Sequence, residues 1–452
     1  MPFNTMIQRP SSTEFRTAER IVCTLQEAGH QALLAGGCVR DLLMGVEPKD
    51  YDVATTATPE QVARLFPYTK PVGTEFGVML VIEDGTSFQV ATFRSEGDYA
   101  DGRHPDRVSF ATAEDDAKRR DFTINGMYWD PACDEVMDTV GGRADIERGV
   151  VRAIGDPTER LREDHLRIVR AVRFAARLEF TIEERTRQAL IECAPLVERI
   201  VPERMQQELR VILTDRNPAL ALRMMDELGM LTRIFPELED ARGCEQPENY
   251  HPEGDVFVHT LLTVEKAGAH PEFAVALAAL LHDIGKPEAV RRSEPKRFPE
   301  HERIGAEMAE AVCSRLRLPR DETDRVCWLV KRHMYFKEAQ RMKTSTLKRL
   351  FAEPGFEHLC ALIKADALAS WGVLDDYHYV LQRRQEMSEE EISPPPLISG
   401  RDLLAKGYKP GPALGKILAE VREQQLQGEL TTREEALAAA ERMASQMNAP
   451  RE

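Results

Sequence analysis

Two aspartates separated by one residue, Asp50 and Asp52, carry the clearest pattern for metal chemistry in the first part of the chain. Side chains two residues apart on an extended segment point to the same side. Two carboxylates placed in this way can bind hard divalent cations such as Mg²⁺, which keep coordination positions free for substrate phosphates. Two such ions can activate a hydroxyl group and stabilise a pyrophosphate leaving group. We therefore predict that Asp50 and Asp52 are catalytic metal ligands.

Glycines and arginines near these aspartates have the properties of a phosphate-binding site. A Gly-Gly pair leaves room between the backbone and a triphosphate, and the start of a following helix attracts anions. A pair of adjacent arginines further along the chain can donate charge-assisted hydrogen bonds to phosphate oxygens, and the Asp and Asn after them can meet ribose hydroxyls. The predicted nucleotide-binding residues of this group are Gly36, Gly37, Arg40, Arg119, Arg120, Asp121 and Asn125.

Asp164 and Arg167 are suited to reading a nucleobase. They lie three residues apart in a segment with helical periodicity, so we expect both on one helix face. A carboxylate accepts a hydrogen bond from an exocyclic amine, and a guanidinium donates to ring nitrogen or carbonyl acceptors. Cytosine and adenine place an amine beside an acceptor nitrogen, whereas uracil and guanine reverse that order. The pair can therefore select C and A without a nucleic-acid template, and Arg170 and Arg173 extend the predicted nucleotide site.

Taken in order, these motifs resemble those of the class II tRNA nucleotidyltransferase and bacterial poly(A) polymerase family, within the polymerase-β-like superfamily. The resemblance covers residues 30 to 215, with motifs at 34–55, 119–126, 138–146, 163–180 and 204–209. It implies template-independent addition of C and A to the tRNA 3′ end from CTP and ATP, with Mg²⁺ as the metal and pyrophosphate as the product. It also implies a hinge at the third motif and a structural role for the fifth.

The family includes enzymes that add CCA, CC alone, A alone or poly(A). Residues 96–105 resemble the flexible loop used in switching from C to A, which CC-only enzymes have shortened. We therefore predict CCA addition, with A-only addition and poly(A) synthesis as alternatives. The net charge of −16 favours a compact RNA over long strands, and no DNA partner is expected. The predicted patch for the acceptor stem consists of the arginines at 160, 162, 167, 170, 173 and 177.

Histidines and aspartates in the second half of the chain form another ordered set. Each histidine alone is more often a core or capping residue, but the order His, His-Asp, His, His, Asp resembles the HD metal-dependent phosphohydrolase superfamily. Imidazole and carboxylate ligands suit Mn²⁺, Fe²⁺, Ni²⁺ or Mg²⁺. A phosphohydrolase acting on RNA 3′ ends or nucleotides is therefore the rival function. The predicted ligands are His259, His282, Asp283 and Asp366, with His301 and His333 as further candidates.

The elements that must position these residues change in character along the chain. A helix is predicted over 15–30, a strand over 32–35 and a hairpin over 78–93 with its turn at Asp84-Gly85. From about residue 158 the pattern is helical. We predict an α+β fold with a polymerase-β-like head followed by mostly α-helical regions. The predicted domains are a head (1–150), a neck (151–238), an HD domain (239–390) and a C-terminal body or tail (391–452).

Composition agrees with a globular protein in a reducing compartment. No apolar run approaches the roughly 20 residues that a membrane helix needs, so no membrane partner is expected. The N-terminal segment has no apolar stretch of the signal-peptide type. The eight cysteines are scattered and none forms a CxxC pair, which favours free thiols over a disulfide framework or zinc ribbon. We therefore predict a cytoplasmic location.

Overall fold

The computed structural model describes residues 7–72, 77–96, 108–247, 252, 254–292 and 298–446. The chain divides into two compact units, residues 1–239 and 240–452. The predicted loop at 96–105 lies outside the described residues except for the backbone of its first residue. Among the described helices, none combines the length and apolar character needed to cross a lipid bilayer.

A seven-stranded mixed sheet forms the centre of the first unit, in the order β3-β4-β5-β2-β1-β8-β9. All of its neighbours are antiparallel except β2 and β5, which are parallel. Two small sheets pair β6 with β7 and β10 with β11. The strands are β1 (Ala32–Ala35), β2 (Asp52–Thr55), β3 (Thr69–Pro71), β4 (Val78–Glu83), β5 (Thr86–Thr92), β6 (Arg94–Glu96), β7 (Val108–Phe110), β8 (Tyr128–Asp130), β9 (Glu135–Met137), β10 (Val150–Val151) and β11 (Thr181–Ile182).

The predicted hairpin is confirmed. Glu83 pairs with Thr86 across a two-residue turn in which both Asp84 and Gly85 have positive φ, 50° and 78°. Two consecutive positive φ values match the twist of the flanking strands, which is why Asp-Gly is favoured there. The hairpin fixes the register of β4 and β5, and β5 in turn borders β2, the strand that begins at Asp52.

Helices cover the sheet and continue beyond it to the end of the first unit. They are α1 (Thr13–Glu27), α2 (Gly37–Leu43), α3 (Pro59–Leu65), α4 (Ala113–Arg119), α5 (Gly142–Arg148), α6 (Pro157–Glu163), α7 (Leu166–Leu178), α8 (Glu184–Cys193), α9 (Pro202–Leu213), α10 (Pro218–Glu227) and α11 (Leu231–Ile234). Short 3-10 turns lie at Thr123–Asn125, Ala194–Arg199 and Pro236–Leu238. Sheet first and helices afterwards is the α+β arrangement that the sequence predicted, and that prediction is confirmed.

One local expectation was wrong, because Asp164 and Arg167 do not share a helix face. α6 ends at Glu163 and α7 begins at Leu166, with Asp164 in an extended conformation (φ −136°, ψ 106°) between them. The Asp164 carboxylate accepts a hydrogen bond from the Leu166 backbone N–H at 3.1 Å. An aspartate that binds nearby backbone N–H groups competes with helix continuation, so the chain bends where the periodicity alone predicts a continuous helix.

The second unit is helical throughout its described residues. Its helices are α12 (Val256–Lys266), α13 (Phe273–Leu281), α14 (Lys286–Arg292), α15 (His301–Arg315), α16 (Arg320–Arg332), α17 (Thr344–Phe351), α18 (Phe356–Ala369), α19 (Asp375–Gln385), α20 (Glu389–Ile392), α21 (Gly400–Leu404), α22 (Pro412–Gln427) and α23 (Arg433–Gln446). A 3-10 turn lies at Ala339–Arg341. Every residue of α13 is buried, and α12, α16 and α18 pack around it. An all-apolar helix of this kind belongs at the centre of a bundle.

Candidate functional site

A cavity of about 520 Å³ in the first unit gathers all the residues that the sequence predicted for catalysis and nucleotide binding there. Eight arginines and four aspartates stand in its wall, so the cavity carries an excess of positive charge. A concave surface with one dominant sign of charge concentrates ligands of the opposite sign. Its lining residues are Gly36, Gly37, Arg40, Asp50, Asp52, Arg119, Arg120, Asp121, Asn125, Asp164, Leu166, Arg167, Arg170, Arg173, Phe174, Arg177 and Arg204.

The two predicted metal ligands stand at one side of this cavity. Asp52 is the first residue of β2 and pairs with Ala35 of β1, and Asp50 precedes it by two residues. Loss of hydration, followed by repulsion from Asp50, raises the pKa of Asp52 to about 6. Neighbouring carboxylates that repel each other beside a positively charged, phosphate-sized cavity form a donor set that fits a divalent cation.

Gly36 allows the guanidinium group of an arginine to lie close to the backbone. Its φ is +77°, and a Cβ atom added there would lie only 2.7 Å from Nη1 of Arg120. Both facts exclude a larger residue without local rearrangement, since L-residues rarely adopt this φ. The glycine pair therefore brings the guanidinium of Arg120 over the start of α2, within the wall of the cavity.

A buried carboxylate on α4, Asp116, holds both adjacent arginines. Its Oδ1 accepts a hydrogen bond from Nε of Arg119 at 2.8 Å, and its Oδ2 accepts from Nε of Arg120 at 3.3 Å. The Tyr128 hydroxyl donates to Oδ2 at 2.5 Å. Asp116 is 1% exposed, and burial alone would raise its pKa, but the two arginines outweigh burial and hold the pKa below its usual value. The sequence did not single out Asp116, because it follows two other acidic residues in a segment that reads as an exposed helix.

Asp121 and Asn125 are bound to other side chains of the same cavity. Asp121 Oδ1 accepts from the Phe122 backbone N–H at 2.8 Å and from Asn125 Nδ2 at 3.1 Å. Its Oδ2 accepts from Nε of Arg170 at 2.9 Å, and the charge of Arg170 outweighs burial and holds the pKa of Asp121 well below its usual range. Arg40 donates to Asn125 Oδ1 at 2.6 Å. Asp121 therefore has partners for both of its oxygens.

An aromatic ring that the sequence analysis did not select lies among three arginines. The guanidinium carbons of Arg40, Arg170 and Arg173 lie 5.4, 5.3 and 4.6 Å from the centroid of Phe174. Cations are attracted to the face of an aromatic ring at such distances. Burial, with repulsion from Arg170, lowers the pKa of Arg173 to about 10. The ring therefore helps to hold three like charges together at the wall of the cavity.

The proposed base-reading residues are each held by another charged side chain. Arg204 of α9 donates to both oxygens of Asp164, at 2.9 and 2.8 Å. Arg167 Nη1 donates to Glu163 Oε2 at 2.7 Å, and its Nη2 donates to the Arg119 carbonyl at 3.0 Å. Asp164 and Arg167 thus face the same cavity from two sides of the bend between α6 and α7, with orientations fixed by partners 4 to 48 residues away in sequence.

The predicted arginine patch for the acceptor stem stays a prediction, and most of its members are partly buried. Only Arg162 of its six members is exposed, and Arg167 is buried. Arg160 donates to the carbonyls of Arg119 and Arg120, the latter at 3.0 Å, so it ties α6 to the cavity wall. Arg170 and Arg173 of α7 form ion pairs with the carboxylates of Asp121 and Glu208.

In the second unit, the predicted HD-type ligands form one buried cluster of two groups. In the first group, the Nε2 atoms of His259 and His282 lie 3.2 Å apart, and Asp366 Oδ1 lies 2.9 Å from Nε2 of His259. In the second group, the Nε2 atoms of His301 and His333 also lie 3.2 Å apart. The structure therefore brings together all six residues that the sequence suggested, including the two named only as further candidates.

Asp283 lies between the two groups. Its Oδ2 is 3.2 Å from Nε2 of His282, and its Oδ1 is 3.5 and 3.6 Å from Nε2 of His301 and His333. Both oxygens are buried and neither accepts a hydrogen bond of good geometry from the described residues, although Nζ of Lys286 lies 2.6 Å from Oδ2. Lys286 compensates the charge at Oδ2, whereas Oδ1 faces the Nε2 atoms of His301 and His333, and a buried carboxylate oxygen in that position is costly unless a further cation lies beside it. The donor set therefore fits divalent metal.

Backbone carbonyls orient three of the histidines. The Nδ1 atoms of His282, His301 and His333 lie 2.8, 2.9 and 2.7 Å from the carbonyl oxygens three residues before them. A hydrogen bond from Nδ1–H to a carbonyl leaves Nε2 with a lone pair for a metal. Burial, followed by repulsion from His282 whenever that ring is charged, lowers the pKa of His333 to about 3, which keeps the His333 ring neutral. These histidines are arranged as ligands rather than as cations.

A second cavity, of about 530 Å³, opens onto this cluster. Its wall combines metal-ligand candidates with two lysines and several aromatic rings. The lining residues are Pro247, Asp283, Lys286, Phe298, His301, His333, Met334, Phe336, Lys337, Ile363, Asp366, Ala367, Ser370, Val373, Asp376 and Tyr377. Lysines beside a metal-ligand cluster suit an anionic substrate group, and aromatic walls suit a flat apolar group.

Three family models match separate parts of the chain. Residues 32–152 match the Poly A polymerase head domain, and residues 256–371 match the HD domain. Residues 179–242 match the model described as "Probable RNA and SrmB- binding site of polymerase A". The first match contains Asp50, Asp52, Arg119 and Arg120, and the HD match contains all six clustered ligands.

Similar proteins extend over nearly the whole chain. A CCA-adding enzyme of Levilactobacillus brevis is 32% identical over 432 residues, which are 94% of this chain and 97% of that protein. A CCA-adding enzyme of Lactiplantibacillus plantarum is 41% identical over 240 residues, which cover 52% of this chain and only 58% of the relative. The crystal structure of Bacillus stearothermophilus CCA-adding enzyme in complex with CTP is 25% identical, with a TM-score of 0.75 over 97% of this chain and 99% of that one.

Proposed function

This chain belongs to the CCA-adding enzyme family, as its motifs predicted, and on that premise we propose that it adds C and A to the 3′ end of tRNA without a template. The substrates are CTP and ATP, and pyrophosphate is released. The observation that carries the proposal is one cavity lined by Asp50, Asp52 and eight arginines. That combination supplies metal ligands and phosphate-binding groups around one nucleotide-sized space.

The reaction is nucleotidyl transfer. The 3′ oxygen of the tRNA attacks the α-phosphorus of the nucleotide, a new O–P bond forms, and the bond between the α-phosphorus and the pyrophosphate oxygen breaks. Asp50 and Asp52 would hold Mg²⁺, which when bound favours deprotonation of the hydroxyl and neutralises charge on the leaving group. Arg119 and Arg120 bind the triphosphate, because Asp116 already fixes their guanidinium groups at the cavity wall.

The remaining residues of the cavity hold the nucleoside. Asp164 retains lone pairs for an exocyclic amine although Arg204 occupies one position on each oxygen. Arg167 has further N–H groups beyond those bound to Glu163 and the Arg119 carbonyl. Asn125 and Asp121 stand near the ribose position, and Arg40, Arg170 and Arg173 add positive charge around Phe174. Gly36 and Gly37 leave space beside the phosphates.

A-only addition and poly(A) synthesis remain the alternatives for the same cavity, because all three activities use C- or A-selecting residues. The second candidate function belongs to the HD-type cluster, where we propose hydrolysis of phosphate esters on RNA 3′ ends or nucleotides. The observation that favours it is Asp283, whose Oδ1 accepts no hydrogen bond from the described residues and faces the second group of ligands, while its Oδ2 pairs with Lys286 beside the first group. His259, His282 and Asp366 would hold one ion, His301 and His333 another, and Mn²⁺, Fe²⁺, Ni²⁺ or Mg²⁺ suits these donors.

The same proposal includes the organisation and location of the protein. We propose that nucleotide addition and phosphate-ester hydrolysis are divided among four domains: a head (1–150), a neck (151–238), an HD domain (239–390) and a body or tail (391–452). A cytoplasmic location is supported by the eight free cysteines, which suit a reducing compartment.

The Asp50→Ala, Asp52→Ala double variant tests the proposed transferase directly. Addition of CTP and ATP to tRNA should be lost, because the remaining arginines bind triphosphate but cannot hold the metal. Hydrolysis at the HD-type cluster, measured on a small phosphate ester in the same preparation, should persist and shows that the variant is folded. Addition at the wild-type rate in this variant would exclude the assigned metal ligands.

A further inference from the structure

Residues 331–349, four of which line the HD-type cavity, carry a concentration of positive charge. Seven of the nineteen residues from 331 to 349 are basic, and only Glu338 is acidic, in a chain whose net charge is −16. Within the described part of the chain, neither Lys331 nor Lys343 forms an ion pair, and both are exposed. An exposed basic stretch on an otherwise acidic protein indicates a polyanionic partner.

Exposed apolar side chains stand at the mouth of the same cavity. Trp371 is 61% exposed and lies between Ser370 and Val373, both of which line the cavity. Val373 itself is 67% exposed. On the other wall, Tyr335 lies between Met334 and Phe336, which also line the cavity, and the guanidinium of Arg332 lies 5.5 Å from its ring centroid. Large exposed aromatic side chains beside a cavity mark a binding surface rather than a packing position.

From these two observations we propose that single-stranded RNA binds across this mouth, with Lys331, Lys337 and Lys343 contacting its backbone and Trp371 stacking on a base. We call these four residues the HD rim. The 3′ end would then reach the ligand cluster, so this inference names the substrate class of the second candidate function and rests on it. Basic side chains with interspersed aromatic platforms are how proteins bind single strands without reading sequence.

The arrangement fits a polymer better than a mononucleotide. Of the seven basic residues in 331–349, only Lys337 lines the cavity, and the others lie on the surface outside it. A free nucleotide filling the cavity would gain little from Lys331 or Lys343, which do not line it, whereas a strand that extends from the cavity along residues 331–349 can contact both. The nearby acidic side chain of Asp376 accepts a hydrogen bond from the Glu338 backbone N–H at 3.1 Å, so it has a role in the turn.

The first test maps where RNA lies on the full-length protein. A short single-stranded oligoribonucleotide with a photoreactive thiouridine at its 3′ end is cross-linked, and the modified peptides are identified by mass spectrometry. We expect cross-links in segments 331–349 and 370–377, in addition to those in the first unit. Cross-links confined to residues 1–239 would overturn the proposal while leaving the transferase intact.

The second test measures the contribution of the HD rim. Trp371→Ala and the Lys331→Gln, Lys343→Gln double variant should each weaken binding of the same oligonucleotide about tenfold, and the double variant should also show a smaller dependence on salt. Trp371→Phe should retain most of the affinity because it keeps a stacking face. Lys266→Gln removes an exposed lysine of α12 and is the matched control.

The possible outcomes distinguish RNA binding by the HD rim from hydrolysis at the metal-ligand cluster. Equal oligonucleotide affinity in the rim variants and in Lys266→Gln would overturn the proposal that the HD rim binds RNA, even if small phosphate esters are still hydrolysed. If the rim variants bind the oligonucleotide more weakly but the protein hydrolyses neither RNA ends nor small esters, RNA binding by the HD rim is supported and the phosphohydrolase function is excluded. Addition of C and A to tRNA should stay at the wild-type level in all of these variants if tRNA reaches the first cavity independently.

Discussion

Arg204 holds Asp164 through two parallel hydrogen bonds, Nη1 to Oδ1 at 2.9 Å and Nη2 to Oδ2 at 2.8 Å. A bidentate guanidinium fixes both the position and the plane of a carboxylate. Asp164 lies in the bend between α6 and α7, so its orientation depends on α9 as well as on the first residue of α7. If Asp164 reads the base as proposed, Arg204 is a positioning residue for base selection, which would give the family's fifth motif a specific task in this chain.

Substitution of Asp164 by Ala should relax the choice of nucleotide. Without the carboxylate, the exocyclic amine of cytosine or adenine loses its acceptor, and discrimination against U and G should fall by roughly 10- to 100-fold. The measurement is single-turnover incorporation of each of the four nucleotides into tRNA. Unchanged ratios among the four would remove Asp164 from base selection.

Substitution of Arg204 should change nucleotide selectivity through its effect on the orientation of Asp164. Arg204→Gln should partly relax selectivity, and Arg204→Lys should not restore it, because lysine keeps the charge but not the planar fork. Arg233→Gln breaks a single exposed bond to Glu198 at 2.8 Å and is the matched control. If Arg204→Lys has the selectivity of the unmodified protein, charge rather than orientation is what Arg204 provides.

Substitution of Asp116 should weaken triphosphate binding. Asp116→Asn removes the charge that holds Arg119 and Arg120, and we expect KM for CTP and ATP to rise about tenfold, or about 1.4 kcal/mol, with KM for tRNA unchanged. Asp115→Asn is the control, because the neighbouring Asp115 is exposed and bonds only locally on α4. An equal effect of the two variants would exclude the proposed role of Asp116.

The ion pair between Asp121 and Arg170 should make stability depend on pH in a definite direction. The pKa of Asp121 is lower in the folded protein than the value of about 3.9 expected when unfolded. Its contribution is therefore fully present above that value and is lost as pH falls toward the folded pKa. Asp121→Asn should be less stable by about 2 kcal/mol at pH 7, since Arg170 is partly exposed, and the difference should shrink between pH 5 and about pH 3.

Urea unfolding of the two proteins across this range measures that difference. A difference that stays constant from pH 7 to about pH 3 would mean that the carboxylate does not stabilise the folded state through its charge.

Removal of the HD-type ligands should show that the two sites function independently. His282→Ala with Asp283→Ala removes one histidine and the carboxylate shared between the two groups, so metal bound to the second unit should be lost. Metal content is measured by mass spectrometry after dialysis, and CTP and ATP addition is measured in the same sample. Addition should remain near the wild-type rate, and its loss would show that the cluster supports the transferase.

Much of both sites could be predicted because their chemistry lies in short segments. Asp50 and Asp52 lie two residues apart at the start of β2, Asp84-Gly85 specifies its own turn, and His282, His301 and His333 each lie at the end of a helix. These features depend on local sequence, and the structure brings each of them to the expected place.

The partners of these residues could not be predicted, because they come from distant parts of the chain. Nothing near Asp164 indicates that Arg204, 40 residues later, will bind it, and that pairing exists only after α9 packs beside α7. Asp116 differs from its exposed neighbour Asp115 only by the helix face it occupies. The arginines of α6 and α7 read as a surface patch, but packing turns most of them inward toward carbonyls and carboxylates.

The most direct test of the whole account is incorporation of labelled CTP and ATP, separately and together, into tRNA lacking CCA and into tRNAs ending in C and in CC. We predict that the protein adds all three nucleotides to tRNA lacking CCA when both substrates are present, and that it stops after CC when only CTP is supplied. Addition of ATP only to tRNA ending in CC would contradict complete CCA addition and would identify an A-adding enzyme.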